Sequence, residues 1–128
     1  MKVRGVDLVA FHVADLNAGT RYYENLGFQV QFRSNELGVT VFRLGEDFPK
    51  LLVTTEAPPV PGTGASRLWL EVEDVKSLLP ELKSKTARFA REPLLIATGW
   101  LVETADPWGN VMGFRDYTAQ PDYGRPKK

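Results

Sequence analysis

Two stretches of this chain, LVAFHVADL at residues 8–16 and RLWLEVEDV at 67–75, align without a gap at an offset of 59 residues, Val13 on Val72 and Asp15 on Asp74. In each, an apolar strand-like run reaches an aspartate suited to cap a helix, because its side chain can accept an otherwise unpaired backbone N–H. Helical spacing follows both times, through Leu16, Gly19, Tyr22, Tyr23 and Leu26 in the first copy and through Val75, Leu78, Leu79 and Leu82 in the second. A chain that repeats itself in this way is constrained to build the same unit twice.

The boundary between the copies is EAPPVPGTGAS, residues 56–66, where three prolines and two glycines cannot continue a helix or a central strand. On its N-terminal side Gly27 closes the helix, and FQVQFR (28–33), VTVFRL (39–44) and KLLVTT (50–55) read as strands. The other side keeps that order with TARFARE (86–92), WLVETA (100–105), a DPWGN turn, and VMGFRDY (111–117). Trp108 and Gly109 in that turn read as structural. Pro80 removes a hydrogen bond inside the second helix, so a kink or a fresh helix start is expected there.

Each copy is therefore β-α-β-β-β. The expected fold is α+β: a first module over 1–55, a linker over 56–66, a second module over 67–117 and a tail over 118–128. One helix covers only one face of a four-stranded sheet, so the other faces are expected to curve around a cleft, with the helices outside. A small molecule would sit in that cleft.

Sixteen basic and sixteen acidic residues cancel, with no long block of like charge, which argues against a nucleic acid or a membrane as partner. The basic RPKK at 125–128 reads as a frayed, solvated tail. There is no cysteine, hence no disulfide, thiolate nucleophile or Cys-ligated metal. Asp7 and His12 interrupt the first apolar run, so it does not read as a signal peptide, and no stretch reaches transmembrane length. A cytoplasmic protein is the expectation.

VADLNAGTRYYENLGFQV (13–30), DPWGN (106–110) and EVEDVKSLLPELKSK (71–85) together resemble the vicinal oxygen chelate superfamily, also described as the glyoxalase/bleomycin-resistance/dioxygenase group. The resemblance covers residues 6–117. It implies a glyoxalase-like fold and a homodimer, and it spans metal-dependent isomerases, transferases and dioxygenases as well as metal-free proteins that sequester a drug. Fold alone does not choose among these.

In metal-binding members of that superfamily, ligands stand on the first, fifth and eighth strands, and in some on the fourth. Counting seven residues back from Asp15 and from Asp74 gives Leu8 and Arg67, and seven forward from Asp106 gives Gly113. The fourth-strand position falls near Leu51. This row offers no lone-pair donor and one positive charge, so the expectation is that neither this metal nor any other cofactor is held.

His12, the single histidine, and Glu71 occupy equivalent places four residues beyond that row, roughly 13 Å further along the strand. They read either as a solvated polar pair at the strand ends or as weak candidates for ligand binding or acid–base work. Arg67 could present a guanidinium fork to a carboxylate or phosphate, or pair with a nearby acid. Trp69 shares its strand face, and Trp100 and Arg115 are candidate lining residues, with core packing the alternative for the tryptophans. Gly113 either marks a bulge or leaves room in the cleft.

The leading expectation is a metal-free protein that binds a small organic molecule, anionic or aromatic, in a cleft lined by Arg67, Trp69, His12, Glu71, Trp100, Gly113 and Arg115. The alternative is a lyase or isomerase that uses His12 and Glu71, or a relocated metal. A regulatory domain with a vestigial cleft is the third possibility.

Overall fold

A computed structural model describes residues 2, 7–55 and 66–126. The proline-rich linker, 56–65, and Lys127–Lys128 lie outside them. The chain divides into two units, Met1–Ser66 and Arg67–Lys128. Both follow the order inferred from the repeat, and no helix among the described residues is long and apolar enough to cross a membrane.

The first unit contains β1 (Leu8–His12), α1 (Leu16–Asn25), β2 (Val30–Ser34), β3 (Val39–Leu44) and β4 (Asp47–Thr54). Its sheet runs β1-β4-β3-β2, with β1 and β4 parallel and the other pairs antiparallel. Asp15 caps α1 through a bond from the Ala18 N–H, 2.9 Å long. At the far end Gly27 takes the left-handed conformation (φ 106°), with Gly27 N–H bonded to Glu24 and Phe28 N–H to Tyr23. This paired closure satisfies two carbonyls that would otherwise be stranded.

Tyr23, buried on α1, packs against Phe11 and Phe42 with ring centroids 6.0 and 6.1 Å apart. Those contacts fix the faces of the sheet. Phe11, Leu51, Val53, Thr40 and Phe42 point at α1, and Thr40 bonds the Thr20 hydroxyl at 2.8 Å. By alternation Leu8, Ala10, His12, Val41, Leu52 and Thr54 lie on the opposite, open face. The fourth-strand position on that face is thus Leu52, not Leu51. Gly19 lets α1 approach its own leading strand, since an added Cβ would stand 2.8 Å from a Val13 methyl.

The second unit contains β5 (Arg67–Glu71), α2 (Val75–Lys85), β6 (Arg88–Ile96), β7 (Gly99–Ala105) and β8 (Val111–Arg115), in sheet order β5-β8-β7-β6. The strands β5 and β8 are parallel. α2 is one helix with Pro80 inside it, so no fresh helix start occurs there. Asp74 accepts the Lys76 N–H at 3.1 Å, and the buried Asp116 carboxylate accepts the Val75 N–H at 2.8 Å. Two acids from distant parts of the sequence thereby meet the positive end of the helix dipole.

In the DPWGN turn, Asp106 accepts the N–H groups of Trp108 and Asn110, each at 2.9 Å. Gly109 (φ 90°) supplies the left-handed bend that the turn requires. The residues after β8 do not fray. Ala119 and Gln120 bond the Thr98 carbonyl, Pro121–Tyr123 forms a single 3-10 turn, and Arg125 returns to Glu71. The reading of RPKK as a frayed, solvated tail is therefore corrected at Arg125.

Candidate functional site

Ladder pairing sets one row of residues across the second sheet: Trp69 opposite Gly113, Gly113 opposite Glu103, and Glu103 opposite Arg91. Partners in a ladder project to the same face. The other face is identified by Trp100, whose ring lies 4.3 Å from the Lys76 ammonium on α2. Glu103, three residues further along β7, therefore points to the open face, together with Arg67, Trp69, Glu71, Gly113 and Arg115. Trp100, expected beside them, faces the helix instead.

Glu103 organises this face. It is 1% exposed, and a carboxylate so deeply buried would cost several kcal/mol if its charge were left unpaired. Three donors answer it. The Trp69 indole N–H donates at 2.8 Å, Arg91 Nε at 2.9 Å, and Arg67 Nη1 lies 3.1 Å from Oε2. Burial pushes the Glu103 pKa up, but the indole and guanidinium hydrogen bonds and the two positive charges outweigh it, and the net shift is downward. Glu103 is an ionised anchor.

The anchored groups remain accessible. The Arg67 and Arg91 side chains are 53% and 49% exposed, and Trp69 is 43% exposed. Gly113 lies directly beneath the indole, because a Cβ there would stand 2.5 Å from Trp69 Cδ1 and 2.9 Å from Nε1. Room for the ring, rather than a bulge, is what this glycine provides. Gly113→Ala should lift the indole off Glu103, cost about 1 kcal/mol for the lost hydrogen bond, and shift the Trp69 emission to the red. Unchanged emission and unfolding midpoint would contradict this seating.

Glu71 sits on the same face at the end of β5, with its carboxylate engaged: Arg125 donates its backbone N–H at 2.8 Å and Nη1 at 2.7 Å. Arg115, its ladder neighbour, bonds Thr98 Oγ1 and the Asp116 carbonyl and lays its guanidinium 3.8 Å from the Tyr117 ring. His12 lies on the open face of the first sheet, paired in register with Thr54.

Glu103 and Arg91 escaped the sequence reading. Glu103 carried a signal, a single carboxylate in the otherwise apolar or neutral strand GWLVETA, and the strand order would have placed it beside Gly113. Arg91 carried none. Register shifts between Phe89 and Arg91 and between Arg91 and Leu94 break the alternation of β6 and turn Arg91 toward Glu103.

The sequence profile of the Glyoxalase/Bleomycin resistance protein/Dioxygenase superfamily matches residues 5–114, and the chain belongs to that superfamily. A search of curated proteins gives no significant match. Among solved structures the fold is similar to TnmS3, an antibiotic binding protein from Streptomyces sp. CB03234, at 24% identity and TM-score 0.75, covering 92% of this chain and 99% of that one. It is also similar to TioX from Micromonospora sp. ML1 (15% identity, TM-score 0.72, 88% and 98% covered). A third is lactoylglutathione lyase from Agrobacterium tumefaciens (14%, TM-score 0.70, 98% and 100%).

The divalent ion of many members of this superfamily does not fit the residues here. Leu8, Leu52, Arg67 and Gly113 provide no donor along the open faces. Glu103, the ladder partner of Gly113, is already bound by two guanidiniums. Among the described residues, no three His, Asp or Glu side chains gather to hold a metal ion.

Proposed function

We propose that this protein binds a small organic molecule, flat and carrying an anionic group, on the open face of its second sheet, without the metal of its relatives. The observation that carries the reading is the Trp69 indole, exposed yet held in place by Glu103 and seated on Gly113. A ring fixed before binding loses little entropy when a ligand stacks on it. Two guanidiniums against one carboxylate leave one positive charge beside that ring, and the half-exposed Arg67 and Arg91 keep N–H groups for a carboxylate or phosphate. The fold shared with an antibiotic binding protein is compatible with this use. A cytoplasmic homodimer is part of the same reading.

Proton transfer by His12 and Glu71 has less support, because the Glu71 carboxylate already accepts two hydrogen bonds from Arg125. Titration with 2-naphthoate and with neutral 2-naphthol, followed by tryptophan fluorescence in the presence of a chelator, tests the proposal. The carboxylate should bind more tightly than the naphthol, and Arg67→Ala should weaken it about five- to tenfold, the value of one charge-assisted contact at a half-exposed site. Equal affinity in Arg67→Ala, or binding that needs an added metal, would overturn the reading.

A further inference from the structure

A second site begins where that face ends, at Glu71. The turn from β5 into α2 and the segment after β8 line an open pocket of about 590 Å³, inside the range of roughly 300–1,000 Å³ usual for small-molecule sites. The segment after β8 is tied down along its length. Thr118 bonds Asp116 through its N–H and its hydroxyl, Ala119 and Gln120 bond Thr98, and Gly124 N–H closes on Pro121 at 3.1 Å. Gly124 then passes so close to Glu71 that an added Cβ would stand 2.7 Å from Oε2, which makes room for the two Arg125 bonds. These bonds hold the segment from Thr118 to Arg125 against the end of β5 and the Thr98 turn.

Its walls are chemically divided. Val72, Pro121, Pro126 and the Tyr117 ring supply apolar surface, and Arg115 holds that ring from one side. Of the charged lining residues, Glu71 and Arg125 neutralise each other at 2.7 Å. Glu73 is left, exposed, with no hydrogen bond or ion pair among the described residues.

We infer that this pocket takes a small organic ammonium ion with an apolar body, its charge set against Glu73 and its body against Tyr117 and the two prolines. This goes beyond the sheet-face reading and opposes it in sign, since the sheet face attracts an anion. Nuclear magnetic resonance of the full, nitrogen-labelled chain separates the two, with benzylamine, benzyl alcohol and benzoate as probes. Benzylamine should move the amide signals of Glu73, Thr118, Gly124 and Arg125. Benzyl alcohol should move the same signals about fivefold more weakly, the worth of one partly exposed ion pair, and benzoate more weakly still. Glu73→Gln, an exposed change that leaves the fold intact, should lower benzylamine affinity to that of the alcohol and leave the alcohol unaltered. Benzylamine no tighter than benzyl alcohol, an affinity unchanged in Glu73→Gln, or shifts confined to the Trp69 indole and Arg91 would overturn the inference. The last result would leave the sheet-face site standing.

Discussion

Asp116→Ala is expected to lower the unfolding free energy by about 3–4 kcal/mol, the sum of three stranded backbone donors and a lost hydroxyl bond at about 1 kcal/mol each. The carboxylate is 0% exposed and serves three parts of the second module at once. Oδ2 accepts the Val75 N–H at the start of α2. Oδ1 accepts the Trp100 N–H at 2.8 Å together with the N–H and hydroxyl of Thr118. Asp116→Asn should lose nearly as much, because an amide must turn its NH2 toward one of those N–H groups. Urea unfolding of both variants measures this, and a loss under about 1 kcal/mol for Asp116→Ala would show that water replaces the carboxylate.

Glu103→Ala is expected to cost about 2 kcal/mol, less than a fully buried pair because its arginine partners are half hydrated. Its effect on the site should be larger than its effect on stability. Without the carboxylate, Trp69 loses its hydrogen bond, and Arg67 and Arg91 become like charges on one face with nothing between them. Near-ultraviolet circular dichroism should report the released indole, and 2-naphthoate should bind to a less ordered surface with at least tenfold lower affinity. An unchanged tryptophan signal would remove Glu103 from its anchoring role.

Acid should reveal both carboxylates. For Asp116, burial raises the pKa, but bonds from Val75, Trp100 and Thr118 lower it further, as the donors do for Glu103. A folded pKa below the unfolded one contributes stability that is complete above the ordinary carboxylate range, about pH 4–5, and is lost as pH falls through the depressed values. Stability should therefore decline below about pH 4, and Asp116→Asn and Glu103→Gln should each flatten that decline.

The parts of this protein legible in its sequence are those set by neighbouring residues. Asp15, Asp74 and Gly27 marked helix ends because caps depend on a few adjacent backbone groups. VTVFRL coincides with β3, and the repeated order of strands and helices stands as inferred. Counting from Asp74 and Asp106 put Arg67 and Gly113 near the same row, and the ladder sets Trp69, two residues on, against Gly113. What stayed hidden depends on pairing across strands. Glu103 needed the order β5-β8-β7-β6, Arg91 needed the bulges of β6, and the choice between lining and packing for Trp100 needed the phase of β7, which puts its ring by Lys76 of α2. The return of Arg125 to Glu71 joins residues 54 positions apart, which no local pattern announces.

The parallel pairing of β5 with β8 bears on the order in which a ribosome can complete the second module. A nascent chain that had emerged only as far as Ala105 would hold the β6–β7 hairpin, with Arg91 and Glu103 already opposite one another. Its strand β5 would still lack a neighbour, since its ladder partner begins at Val111. Trp69 would have no seat until Gly113 appeared, and α2 would await Asp116. Such long-range closure slows folding and leaves apolar strand surface open while it waits. The residues that assemble the proposed ligand face are thus also the ones that end that exposed interval, so damage to them should appear first as lost yield during synthesis.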